Sequence, residues 1–106
     1  MREQEIATTI ELTPEHPCFV GHFPGNPIFP AVAQVGLVVA TIEATCGRAL
    51  VVREVCQGKF LRKIVPPTRL DLRIQLAHDS ATWTLAEAAD VCSKGRLILE
   101  FLTSGT

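Results

Sequence analysis

One histidine stands out by its surroundings. In HPCFVGHFPGNPIFPAVAQVGLVVAT, residues 16–41, four of the seven prolines crowd around His22 ahead of an apolar run. An imidazole titrates near neutral pH, so it can give or take a proton under ordinary conditions. Proline rings fix their own φ and push the residue before them out of the helical region, which stiffens the loop that carries the ring. A rigid loop histidine is one reading of His22; a proton-transfer group aimed at the start of a helix is the other. The remaining histidines, His16 and His78, sit by turns and read as solvated. The four cysteines, 18, 46, 56 and 92, include no CxxC and no metal-like pairing with histidine, so they read as reduced thiols. No metal site and no cofactor is expected.

The elements that must hold His22 follow from the pattern around it. Residues 5–12, EIATTIEL, alternate loosely as a strand, closed by Thr13-Pro14. Pro30 suits the first turn of a helix, where its missing N–H costs nothing, and Gly47 suits a left-handed cap. The spacing therefore predicts one helix from about Pro30 to Cys46, apolar on nearly every side and expected to be buried all round. Four strand-like runs follow: 50–60, 70–77, 82–91 and 96–103, with HDS at 78–80 and SKG at 93–95 read as turns. LDLRIQLA has the period-two alternation of a strand with one wet face. The fold class is α+β: an antiparallel sheet of five or six strands that must curl round one long helix. A second subunit is expected to cover what the sheet leaves.

Composition narrows the function. The 106 residues read as a single domain, residues 1–106, with 47% hydrophobic and 20% charged side chains, the balance of a globular chain. A net charge of −1 gives no electrostatic case for nucleic acid. The apolar run at 31–46 is interrupted by Gln34 and Glu43 and falls short of the ~20 residues of a membrane span. The polar start, MREQEIATT, carries no signal-peptide core, so a cytoplasmic location is expected.

GHFPGNPIFPAV resembles the signature of the hotdog-fold 3-hydroxyacyl-[acyl carrier protein] dehydratases, the FabA/FabZ group, and GKFLRKIVPPTRLDLRIQL at 58–76 is similar to the strand and turn that follow there. The PAVAQ context of Gln34 and the short length look more like the small dehydratase-like subunits of polyene and polyketide pathways. The resemblance implies a curved sheet wrapped round a central helix, two protomers sharing a continuous sheet, and an acyl tunnel at their interface. A histidine of one protomer there faces a carboxylate from the partner's helix. The implied reaction removes water from a 3-hydroxyacyl thioester held on an acyl carrier protein.

Carried over position by position, His22 matches the catalytic histidine. Phe23, Gly25 and Gln34 are expected to bind substrate, and Ala31 stands where a glycine N–H contacts the thioester carbonyl. Gly36 occupies the position of the family's carboxylate, a departure that leaves the general acid unassigned. Glu43 lies seven residues on and Gln34 two residues back, and neither replaces it simply. Glycine inside a helix costs roughly 0.5–1 kcal/mol against alanine, so Gly36 makes room either for a neighbouring backbone or for a wider acyl channel. Lys59, Arg62, Lys63 and Arg69 are expected to form a docking face for the carrier protein. Three readings follow: a homodimer that dehydrates, a heterodimer whose second hotdog subunit supplies the carboxylate, or an acyl-thioester or carrier-binding protein without turnover.

Overall fold

The computed structural model describes residues 4–15 and 28–102. His16, Cys18, His22, Phe23 and Gly25 lie outside the described residues. Six elements follow one another: β1 (Gln4–Leu12), α1 (Ala31–Cys46), β2 (Leu50–Phe60), β3 (Thr68–Leu76), β4 (Ser80–Glu87) and β5 (Asp90–Phe101). The five strands form one antiparallel sheet in the order β1-β3-β4-β5-β2. This is the expected α+β hotdog arrangement. Strands β1 and β2 are the two edges, so the chain between them must carry α1 across the sheet.

Alternation decides which face the helix meets. Along β3, Leu70, Leu72, Ile74 and Leu76 are buried while Arg69, Asp71, Arg73 and Gln75 are exposed. The inward set joins Trp83 and Leu85 of β4, Leu97 and Leu99 of β5, and Val38 and Ile42 of α1 in one buried cluster. Ile64, in the connection from β2 to β3, belongs to it too, and its carbonyl accepts a 2.8 Å hydrogen bond from the N–H of Phe29. That bond ties the approach to α1 to the end of β2.

Two expectations are corrected. The helix is not buried all round within the chain. Gln34, Val38 and Ile42 form its buried line, whereas Val32, Gly36, Ala40 and Ala44 face outward, Val32 being 79% exposed. One sheet covers one side of a cylinder, and apolar composition does not supply the other cover. The segment SKG is also not a turn. It lies inside β5, and the chain reverses instead at Ala88-Ala89, between the paired residues Glu87 and Asp90, with Ala88 at φ 53°. Gly95 is required there because a Cβ would come within 2.5 Å of the Trp83 ring, and Ser93 accepts a 3.2 Å hydrogen bond from the Trp83 indole N–H. Among the described residues no helix is long and apolar enough to cross a membrane.

Candidate active site

Pro30 enters α1 with φ −75° and ψ 156° and offers no side-chain cap, and no acidic residue stands in the first turn. The first N–H groups of a helix lack intrahelical partners, and the helix dipole makes that end positive. A cavity of about 270 Å³ opens at this end, lined by Ile28, Phe29, Pro30, Ala31 and Gln34 on one side and by Phe60, Leu61, Arg62 and Lys63 on the other. The fold thus brings Ala31 and Gln34 together with Arg62 and Lys63, four of the residues singled out from the sequence.

Gln34 is the unusual member. Its side chain is buried to 4% exposure, and its amide nitrogen donates a 3.0 Å hydrogen bond to the carbonyl of Phe29. That bond sets the orientation of the amide, and its oxygen, Oε1, has no hydrogen-bond partner among the described residues. A buried carbonyl left without a partner costs about 1–3 kcal/mol. The apolar wall of the cavity, Phe60 and Leu61, was not anticipated. The signal was present in GKFLRK, where two large apolar residues, both exposed in the structure, sit among cations.

The other expected residues lie elsewhere. Gly36 is exposed on the opposite side of α1 from Gln34, and a Cβ built on it meets nothing within 4 Å. Among the described residues of the chain, close packing against a neighbouring backbone is therefore not what a glycine serves there. The four cations do not form one face. Arg62 pairs with Asp90 at 2.7 Å beside the cavity, and Lys63 stands next to it. Arg69 pairs with Glu11 at 2.9 Å on the outer side of β3, where the carboxylate raises its pKa. Lys59 lines a separate groove with Lys94 and Arg96. Of the thiols, Cys92 is buried and Cys46 and Cys56 are half-buried; desolvation pushes Cys92 and Cys56 above the usual thiol range, away from the reactive thiolate. His78 is exposed at the far end of the helix from the cavity, in a groove with Cys46, Arg48 and Phe101.

The family model described as ApeI-like, ApeI dehydratase, matches residues 1–96. A 3-hydroxyacyl-[acyl-carrier-protein] dehydratase FabZ of Lactococcus lactis is 30% identical over 94 residues, covering 82% of this chain and 62% of that protein. The FabZ of Haemophilus influenzae is 32% identical over 71 residues, covering 59% of this chain and 48% of its own length. The chain thus spans about half the length of such curated relatives. Among solved structures, the dehydratase heterocomplex ApeI:P from Xenorhabdus doucetiae superposes with a TM-score of 0.81 at 23% identity, covering 93% of this chain and 94% of that one.

Proposed function

The chain belongs to the ApeI-like dehydratase family, and from that premise we propose that it acts on 3-hydroxyacyl thioesters borne by an acyl carrier protein, eliminating water to leave the 2-enoyl thioester. The observation that carries the reading is the cavity at the uncapped start of α1, with Ala31 and the unpaired amide oxygen of Gln34 on one wall and Arg62 and Lys63 on the other. In the proposed reaction His22 takes the proton from C2. The electron pair left behind forms the C2–C3 double bond as the C3–O bond breaks, and the hydroxyl leaves as water with a proton from a general acid. The N–H of Ala31 and the positive end of α1 stabilise the charge that builds on the thioester oxygen. Phe23, Gly25 and Gln34 position the acyl chain, and Arg62 and Lys63 flank the entrance at which the carrier arrives. The reaction has a cytoplasmic setting in fatty-acid or polyketide assembly.

A site completed by a second subunit fits two further features. Gly36, the family's carboxylate position, faces out of the protomer with open space over it. The edge strand β2 carries exposed Val55 and Phe60 beside unpaired backbone groups, a surface suited to strand pairing. The related Xenorhabdus assembly is a heterocomplex, which favours a partner hotdog subunit as the source of the carboxylate over a self-sufficient homodimer.

The test follows dehydration of a carrier-linked 3-hydroxyacyl thioester by the chain alone and with a second hotdog subunit. His22→Ala is expected to remove turnover by several orders of magnitude while leaving the melting temperature nearly unchanged. As the base must be neutral, rates are expected to rise with pH as its imidazole loses its proton. Gly36→Glu is expected to raise turnover by the homodimer by up to about 10²–10⁴-fold, the worth of a general acid. Undiminished turnover in His22→Ala would end the catalytic reading and leave an acyl-thioester or carrier-binding protein.

A further inference from the structure

The hydrogen bonds of the protomer account for only half of the Gln34 amide. Its nitrogen donates to the carbonyl of Phe29 at 3.0 Å, and fixing the nitrogen fixes the oxygen on the other side of the amide carbon. Among the described residues that oxygen, Oε1, is the one buried side-chain polar atom without a hydrogen-bond partner. Ser93, also buried, accepts the Trp83 indole N–H at 3.2 Å. A structural role answers for the nitrogen of Gln34 and gives its oxygen nothing to do. A leucine would match Val38 and Ile42, the other members of the buried helix line, and leave no polar atom unpaired.

Depth in the cavity says what the oxygen meets. Ala31 is exposed, as are Phe60, Leu61, Arg62 and Lys63 on the opposite wall, whereas Gln34 is buried. The first bond of the helix runs from the N–H of Gln34 to the carbonyl of Pro30, so the N–H groups of Ala31, Val32 and Ala33 have no intrahelical partner. Residues three apart on a helix share a face, which puts Gln34 one turn inward of Ala31 on the same side. A thioester whose carbonyl meets the Ala31 N–H therefore turns its pantetheine sulfur to the exposed rim and its acyl carbons to Gln34. A nitrogen held by Phe29 leaves the amide only an acceptor to offer, so the acyl group must bring a donor. Near the thioester carbonyl, the hydroxyl on C3 is that donor.

We propose that Oε1 of Gln34 accepts the hydrogen bond of the substrate's 3-hydroxyl, which makes Gln34 the residue that selects hydroxylated over unhydroxylated acyl chains. The identity of the ligand rests on the function proposed above. The bond lasts through the elimination. The hydroxyl keeps its own hydrogen on Oε1 as the C3–O bond breaks, and the departing oxygen takes its second proton from the general acid, so the amide gains no proton. The enoyl product carries no donor on C3. Oε1 is then unpaired again, and product is held less tightly than substrate.

The test titrates the full chain, alone and with a second hotdog subunit, with the 3-hydroxybutanoyl, butanoyl and 2-butenoyl thioesters of pantetheine. His22→Ala serves as the parent so that the hydroxyl survives the titration. The 3-hydroxy thioester is expected to bind about tenfold tighter than the other two. Gln34→Leu and Gln34→Met in that parent are each expected to bring the ratio close to one. Loss of the Phe29 bond acts on all three ligands alike, so the ratio isolates the oxygen. A parent chain without preference for the hydroxyl overturns the proposal, whether or not the variants fold. Affinity lost equally for all three thioesters and for pantetheine itself overturns it in favour of a pantetheine amide N–H as the donor. A hydroxyl preference that both variants abolish, in a chain that dehydrates no thioester when His22 is intact, would sink the dehydratase reading and leave the acceptor standing. Dehydration with a ratio that neither variant moves would do the opposite.

Discussion

At its C-terminal end α1 is closed by Gly47 in the left-handed conformation, whose N–H donates a 2.8 Å hydrogen bond to the carbonyl of Glu43. The carboxylate of that glutamate accepts a 3.0 Å bond from the N–H of Leu50, joining the helix to the first residue of β2, and Arg48 lies over the Phe101 ring at 5.0 Å. At its N-terminal end the same helix has a proline with no side chain to cap with, no acid in the first turn, a cavity, and a buried amide oxygen with no partner. Among the described residues, the polar groups at the C-terminal end are satisfied, while a buried carbonyl at the other end is not. The open end is where free N–H groups and dipole charge remain for a ligand.

The sharpest way to break this comparison is Ala31→Pro. Residue 31 is the first of the helix, where proline is tolerated, and Pro30 already has the extended backbone that a following proline demands. The change removes one N–H and little else. Turnover is expected to fall by about 10²–10³-fold, the worth of one oxyanion donor, with the melting curve nearly unmoved. Full activity in this variant would take the open end of α1 out of the mechanism.

The closed end should respond in the opposite sense. Glu43→Ala leaves the buried N–H of Leu50 without its acceptor and is expected to cost about 1–2 kcal/mol in chemical denaturation, with turnover per folded molecule unchanged. Gly47→Ala forces a Cβ into the left-handed region at φ 67° and is expected to cost about 1 kcal/mol, seen as a melting temperature lower by roughly 4–8 °C. The smallest stability effect is expected back at the open end. Gln34→Leu removes an unpaired oxygen together with one hydrogen bond, so the two losses offset to within about 1 kcal/mol. Its effect on KM for the thioester is then the readout. An unchanged KM would assign the buried amide to holding Phe29 alone.

The sequence alone determined the helix from its proline entry to its glycine cap and the period-two strand of β3. These signals are local: φ limits at proline and glycine, and alternation along a strand, operate within a few residues and need no knowledge of the rest of the chain. His22, proposed as the base on the motif around it, lies outside the described residues. Only the tertiary structure decided the rest. SKG carries turn residues, yet it lies inside β5, where Gly95 leaves room for the Trp83 ring, and the hairpin reverses at two alanines instead. The helix is apolar on all sides, yet a single sheet covers only the line Gln34, Val38, Ile42. Four cations adjacent in sequence scatter into an ion pair on β3, a cavity rim and an outer groove, because strand register joins Lys59 to Lys94 across 35 positions of chain. Contacts of that span depend on how the sheet closes on itself, which no local pattern of residues encodes.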